Sequence, residues 1–377
     1  MSEPWIVVPL DGSDLAERAV PYATAFAKAT QAGVLLVTTW EGIQHGLENQ
    51  LPDLVTELTQ RGEQYYRDYL AGVAKQVAAE GVAVKTELLL GDPTDEIMRY
   101  LRETDPQLLA LATHGRSGLS RWLYGSVASR LVQDSPEPTL VIGPKVLEEP
   151  AVRPVRRILV PLDGSDLSQL ALRPAVELAE AFGADLVLAE ALRFATQAFA
   201  FGVPEVDIGR LDLILTQAAE EHLAQTRERL RTTRPVETRV VRGQPTEALL
   251  DLEDAEQIDL VVMASHGRGG IARVALGSVA DRMLQGRAPV LLIRPETATG
   301  VTRAAKARHC HNCGRSAPYG EIDAEDRCLR CGEHLHACGN CVYFDGIACL
   351  LQRSEVHDAY PGRDCPEFQF RETPNPG

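Results

Sequence analysis

Short apolar runs alternate with longer amphipathic segments along most of this chain. In the clearer, second part of the pattern we predict strands at Arg157–Leu162, Leu186–Leu192, Val236–Arg242, Leu260–Ala264 and Val290–Ile293. Between them we predict helices at Ser165–Phe182, Thr216–Arg231, Thr246–Glu256 and Gly277–Leu284, the first capped by Ser165 and kinked or weakened by Pro174. Strict alternation with apolar central strands indicates a parallel sheet covered by helices on both faces, which is a doubly wound α/β domain.

The pattern is repeated once along the chain, 152 residues after its first occurrence. Four separated motifs recur at that displacement: 6–15 at 158–167, 91–94 at 243–246, 114–116 at 266–268 and 125–128 at 277–280. A constant offset predicts two copies of one domain, at 1–146 and 156–295, joined by a short stiff linker at 147–155. A third module, at 308–377, differs from both because it holds all eight cysteines of the chain.

Composition narrows the class of protein. The chain has 377 residues, 45% of them hydrophobic, and its longest apolar runs are far shorter than the roughly 20 residues that span a bilayer. The first residues resemble no secretion signal, so we expect a soluble, cytoplasmic protein with no membrane partner. A formal net charge of -15 argues against nucleic acid as a partner, as do seven Arg against eleven Asp or Glu after Ala307.

Two polar segments of each copy follow strands at the edge of the sheet where ligands of doubly wound folds bind. One is the turn Asp11-Gly12-Ser13, repeated as Asp163-Gly164-Ser165; the other is the loop 112–126, repeated as 264–278. Glycines let the backbone approach an anion, and a helix start supplies free amides, so the loop predicts a phosphate site. Arginines flank the loop and can neutralise phosphate bidentately: Arg116 and Arg121, with Arg268 and Arg273.

These residues resemble the universal stress protein family, whose ATP-binding members share a P-x-D-G-S start and a late G-x2-G-x9-G-[ST] loop. The resemblance covers about 290 residues, although Ala112 and Ala264 stand where the first loop glycine is expected. It implies ATP binding, with Asp11 and Asp163 at the adenine or ribose end; helix capping is the alternative role for both. The other implied nucleotide contacts are Pro9, Ser13, Gly91, Gly115, Arg116, Gly125 and Ser126, with Pro161, Ser165, Gly243, Gly267, Arg268, Gly277 and Ser278.

The cysteine spacing predicts metal sites. Cys310, Cys313, Cys328 and Cys331 form two C-x2-C pairs that are typical of a zinc ribbon with four thiolate ligands. Cys338, Cys341, Cys349 and Cys365 form a second set of four, for which we expect a second zinc ion. An iron–sulfur cluster, redox-active or disulfide-linked cysteines, and crossed pairing of ligands between the two sets are the alternatives.

The leading hypothesis for function is a regulatory, non-enzymatic tandem stress protein that binds ATP and carries a zinc module for docking or structure. No general base with metal-binding carboxylates stands out, which disfavours a phosphoryl-transfer enzyme. A slow ATPase or nucleotide-handling enzyme and a redox-sensing regulator are the alternatives. The tail predicts a protein partner of unknown identity. We also predict that the copies form an internal pseudo-dimer through strands 139–142 and 290–293, with further homo-oligomers left open.

Overall fold

A computed structural model describes residues 4–42, 52–113, 126–135, 137–149, 151–193, 208–265, 277–294, 306–308 and 372–374. The first copy has five strands: β1 Trp5–Pro9, β2 Gly33–Trp40, β3 Val84–Leu90, β4 Leu108–Ala112 and β5 Thr139–Ile142. Its helices are α1 Asp14–Glu17, α2 Val20–Thr30, α3 Pro52–Ala79, α4 Pro93–Thr104 and α5 Ser126–Asp134. A short 3₁₀ turn, Val146–Glu148, leads out of the copy and packs Val146 and Leu147 into the core.

The second copy repeats this order. Its strands are β6 Arg157–Leu162, β7 Asp185–Leu192, β8 Val236–Arg242, β9 Leu260–Ala264 and β10 Val290–Ile293. Its helices are α6 Asp166–Gln169, α7 Leu172–Phe182, α8 Ile208–Arg229, α9 Pro245–Ala255 and α10 Ser278–Met283. Four of the five strands have the bounds that the apolar pattern predicts, and β7 begins one residue earlier.

One segment that was predicted as a single helix forms two helices in the structure. The segment 165–182 forms two helices, α6 and α7, and Ser165 caps the first of them. Pro174 lies in the first turn of α7, where its missing N–H costs no hydrogen bond, so it neither kinks nor weakens the helix. The second predicted helix is also longer than expected, because α8 already begins at Ile208.

The strands of both copies form one sheet, in the order β3-β2-β1-β4-β5-β10-β9-β6-β7-β8. Within each copy neighbouring strands are parallel, and helices cover both faces. Two buried apolar layers result, and each contains residues of both copies. The doubly wound fold predicted from the sequence is confirmed, and the two copies share a continuous core.

The copies meet at their last strands, as predicted. β5 and β10 pair antiparallel, with Leu140 opposite Leu291. Phe26 of α2 packs edge-on against Phe182 of α7, with ring centroids 5.0 Å apart. Arg294, just after β10, donates hydrogen bonds to the carbonyls of Val132 and Gln133 in the last turn of α5. A cation at that position also complements the negative end of the helix dipole.

A separate two-stranded ribbon brackets the cysteine module. β11 Lys306–Arg308 pairs antiparallel with β12 Glu372–Pro374 and belongs to a compact unit distinct from 4–302. All eight cysteines lie between these strands in sequence and outside the described residues.

Candidate functional site

Each copy has a crevice where the order of its strands reverses. β1 lies between β2 and β4, so the chain leaves β1 toward one side of the sheet and returns on the other. In the second copy β6 lies between β7 and β9 in the same way. The loops that follow β1 and β4 lead away from this point in opposite directions, as do those that follow β6 and β9. Such a switch point is where open α/β sheets bind ligands.

The turn after β1 is built by Asp11, Gly12 and Ser13. The Oδ1 atom of Asp11 accepts hydrogen bonds from the backbone N–H of Ser13 at 2.9 Å and from its hydroxyl at 2.6 Å. Gly12 has a φ of 83°, a backbone conformation that residues with a side chain rarely adopt. Ser13 Oγ in turn accepts from the amide of Ala16 and caps α1. The capping role considered for Asp11 therefore belongs to Ser13.

The turn after β6 has the same geometry with one addition. Asp163 Oδ1 accepts from Ser165 N at 3.0 Å and Ser165 Oγ at 2.5 Å, and Gly164 has a φ of 77°. Ser168, which replaces Ala16 of the first copy, adds its hydroxyl 3.4 Å from the Asp163 amide. Burial acts to raise the pKa of Asp163, but hydrogen bonds from Ser165 and Ser168 outweigh it, and the pKa lies below its usual value. Asp163 therefore stays ionised at neutral pH.

Two polar residues directly after β4 and β9, Thr113 and Ser265, were not among the site residues predicted from the sequence. Thr113 and Ser265 are almost fully buried, and their amides donate to the carbonyls of Ile142 and Ile293 at 3.0 and 2.8 Å. Thr113 Oγ1 lies 3.5 Å from the Ile142 carbonyl, whereas the Ser265 hydroxyl has no hydrogen-bond partner among the residues that the structure describes. Their place as the second residue of the late loop in both copies was the available signal.

Gly91 and Gly243 lie in the turns directly after β3 and β8. Their φ angles of 129° and 138° lie in the region that favours glycine, so this residue type is needed for the turn itself. Their amides donate to Trp40 and Leu192 at 3.0 Å, which ties each turn to the end of the adjacent strand. Two prolines were also predicted to contact the nucleotide. Pro9 is the last residue of β1, and Pro161 lies within β6.

Apart from its first two residues, the late loop is described only where its helix begins. Ser126 is the first residue of α5, and Gly277 caps α10, whose first residue is Ser278. Gly277 has φ -53° and ψ 146°, an extended conformation open to any residue. Gly115, Arg116, Gly125, Gly267 and Arg268 lie outside the described residues. Their predicted phosphate contacts stay predictions.

The described residues contain no group of three or more His, Cys, Asp or Glu able to hold a metal ion. The zinc prediction thus depends on the cysteines alone. In the same part of the chain, every helix is too short or too polar to cross a membrane.

The fold and its crevices define a tandem doubly wound α/β protein with one potential ligand site per copy. A family model described as "Universal stress protein family" matches residues 5–143 and again 154–294. The chain belongs to the universal stress protein family.

Individual relatives agree with this assignment. Universal stress protein Rv2623 from Mycobacterium tuberculosis is 29% identical over 304 residues, covering 77% of this chain and 96% of that protein. Universal stress protein Rv2005c from the same organism is 32% identical over 216 residues, covering 56% of this chain and 70% of that protein. A crystal structure of a universal stress protein from Archaeoglobus fulgidus matches the fold with a TM-score of 0.57 and 19% identity, covering 78% of this chain and 99% of that one.

Proposed function

We propose that this protein is a cytoplasmic, non-enzymatic stress-response module that binds ATP in both crevices and signals through their occupancy. The observation that carries the proposal is the repeated aspartate turn at the switch point of each copy. In both turns one carboxylate oxygen is held by a serine, which fixes the orientation of the side chain. The other oxygen can then accept from a ribose hydroxyl or the adenine amino group.

The phosphates would lie at the late loop. Gly115, Gly125 and Ser126 would supply amides and a hydroxyl in the first copy, and Gly267, Gly277 and Ser278 in the second. Ser126 begins a helix of nine residues, so its amide belongs to the positive end of the helix dipole. Arg116 and Arg268 would neutralise the phosphate charge. Gly91 and Gly243 would border the base.

Glutamate at the loop glycines is expected to abolish ATP binding one site at a time. In Gly277→Glu the added carboxylate occupies phosphate space and repels the ligand, while the extended backbone of residue 277 tolerates the side chain. Calorimetric titration should give two sites in wild type, one in Gly125→Glu, one in Gly277→Glu and none in the double variant.

Gly277→Ala is the matched control, because it adds a methyl group without charge and should keep the second site. Circular dichroism first verifies that each variant is folded. A folded double variant that binds ATP like wild type would show that these glycines only form turns. Conversion of bound ATP to ADP during the titration would favour the slow-ATPase alternative.

For the tail, we propose two zinc ions held by the eight cysteines, in a module that docks an unidentified protein or stabilises the chain. The proposal is supported by the two C-x2-C pairs and by the ribbon of β11 and β12. Because these strands pair, the two ends of the 63-residue segment that holds the cysteines are held together. Four thiolates per ion satisfy tetrahedral zinc, and a segment with few large apolar residues gains stability from such ions.

Elemental analysis of the reduced, full-length protein is expected to find two zinc ions per chain. A chain ending at Glu296 should contain none, because the first 309 residues lack cysteine. Replacing Cys310 and Cys313 together by serine should remove one ion and leave the second. A single ion in the wild-type protein would contradict the two-site assignment, and iron in place of zinc would favour a cluster.

A further inference from the structure

The outer strand of the first copy, β3, has one edge without a strand partner in the described part of the chain. The N–H of Val34 in β2 donates to the Ala83 carbonyl, and the parallel register continues from there along β3. Every second residue from Ala83 onward thus pairs with β2. The backbone N–H and C=O groups of the residues between them, Val84, Thr86 and Leu88, therefore point away from the sheet.

A cavity of about 700 Å³ follows this edge. Its lining includes four consecutive strand residues, 84–87, which span about 13 Å at the usual rise of a strand. Small residues of α3, namely Ala71, Ala74 and Ala78, line it from one side, and Tyr100 of α4 lines it from the other. The cavity thus has room beside β3 for a second extended backbone, whose side chains would alternate between the two helices.

The lysine of this strand does not block the edge. A lysine on an edge strand commonly prevents pairing with a further strand. The Lys85 ammonium instead lies over the ring of Trp5, 4.2 Å from its centroid. Because Trp5 belongs to β1, two strands further in, the Lys85 side chain is directed across the face of the sheet rather than past its edge. Gly33 of β2 gives the indole its place, since a Cβ atom there would overlap the ring.

The corresponding edge of the second copy, on β8, is covered by its own side chains. Thr238 is the counterpart of Thr86, and its outward carbonyl accepts a hydrogen bond from Nη1 of Arg239 at 3.0 Å. Two carboxylates, of Glu237 and Glu256, accept from the other nitrogens of the same guanidinium and hold it in place. A further strand could reach this carbonyl only by displacing Arg239.

The first copy lacks the residues for such a cap. Glu87 stands at the position of Arg239, and Thr104 stands at the position of Glu256. A carboxylate has no proton to donate to the Thr86 carbonyl. The open edge is therefore a property of the first copy.

We propose that the edge of β3 binds an extended peptide segment of a partner protein, which joins the sheet as a further strand. Main-chain hydrogen bonds to Val84 and Thr86 supply affinity, and the side chains of the peptide supply specificity. Apolar side chains fit against the three alanines of α3, and an acidic residue complements Lys75 on the same side, while Trp5 and Tyr100 offer an aromatic surface on the other. Because the cavity lies between two helices, it admits a single strand more readily than the edge of a second folded copy, which carries helices of its own.

The test is fluorescence anisotropy of labelled, end-blocked octapeptides that alternate valine or tyrosine with aspartate or threonine. The full-length protein is expected to bind at least one peptide of this set saturably. The same peptide with its amide nitrogens methylated keeps every side chain and loses its main-chain donors. It should therefore bind at least about tenfold more weakly.

Two variants close the edge in different ways. Thr86→Pro removes an outward N–H that β2 does not use, and it should weaken peptide binding about tenfold. Glu87→Arg combined with Thr104→Glu transfers the Arg239 cap of the second copy to the first and should have the same effect. Thr238→Pro is the matched control on β8 and should leave binding unchanged.

Circular dichroism first verifies that each variant is folded. Failure of the wild type to bind any peptide of the set, equal binding of the methylated peptide, or unchanged binding by a folded edge variant would overturn the inference. Analytical ultracentrifugation tests the other occupant. A wild-type dimer that Thr86→Pro converts to a monomer would show that a second copy covers the edge, and this result would also overturn the inference.

Discussion

Replacing Gly143 by alanine is expected to lower the free energy of unfolding by about 2 to 4 kcal/mol. Gly143 follows β5 directly, where the first copy meets the second. A Cβ atom there would lie well inside contact distance of the Leu284 carbonyl oxygen, at the end of α10. The obstacle is backbone held by packing, so relief requires β5 or α10 to move.

Urea unfolding of the two proteins measures the difference. The matched control is Gly72→Ala, because Gly72 lies within α3 and a Cβ there has no neighbour within 4 Å. That change should stabilise the protein by about 0.5 to 1 kcal/mol through helix propensity. If Gly143→Ala is as stable as wild type, the close approach of the two copies at Leu284 is wrong.

The substitution Glu253→Gln is expected to stabilise the protein by about 3 kcal/mol at about pH 8 and to have little effect near pH 4. Glu253 is 2% exposed, and its Oε1 atom accepts from the amides of Arg287 and Ala288, which lead into β10. Within the described part of the chain, its Oε2 atom has no hydrogen-bond partner. Burial raises the pKa of this carboxyl from 4.5 to about 7, against the opposing effect of the two amides.

The direction of the pH effect follows from linkage. A carboxyl whose pKa is higher in the folded state binds more protons there than in the unfolded chain, so acid favours folding. The stability of the wild type should therefore fall as the pH rises from about 4.5 to about 7 and level off above that. Glutamine keeps the acceptor for both amides and carries no charge, so its unfolding curve should lack this fall.

Two variants separate charge from hydrogen bonding. Glu253→Leu introduces the residue of the first copy, Leu101, but leaves two amides without an acceptor, so it should be less stable than Glu253→Gln at every pH. Glu103→Gln changes an exposed carboxylate of α4 and should leave the pH dependence as in wild type. A pH profile that is the same for Glu253→Gln and wild type would contradict the burial of a charged group here.

Local pattern determined much of the architecture. Strands such as β9 and β10 are continuous apolar runs bounded by polar residues, and they require only neighbouring residues to be recognised. The 152-residue repeat then gave the tandem organisation, and the polar turn after each first strand gave the place of the aspartates. Ser165 as a helix cap was predictable because the cap uses an amide only three residues away.

Two polar residues of the second copy, Glu253 and His222, can be seen in the sequence, but their roles depend on contacts that only the folded chain makes. Glu253 interrupts the apolar face of α9 at the position of Leu101, and its acceptor role depends on amides 34 and 35 residues away. His222 likewise acquires its partner from Glu190, which lies on another element. Sequence alone shows that such residues are unusual, whereas burial and a specific partner are properties of the folded chain.

The sequence by itself thus determined the strands, the helices, their duplication and the aspartate turns, because each depends on residues close together in the chain. Only the tertiary structure decided that β1 lies beside β4 and that Gly143 meets Leu284. Those contacts join residues separated by a hundred positions or more, and their free energy comes from packing and hydrogen bonds that form only when the whole sheet assembles.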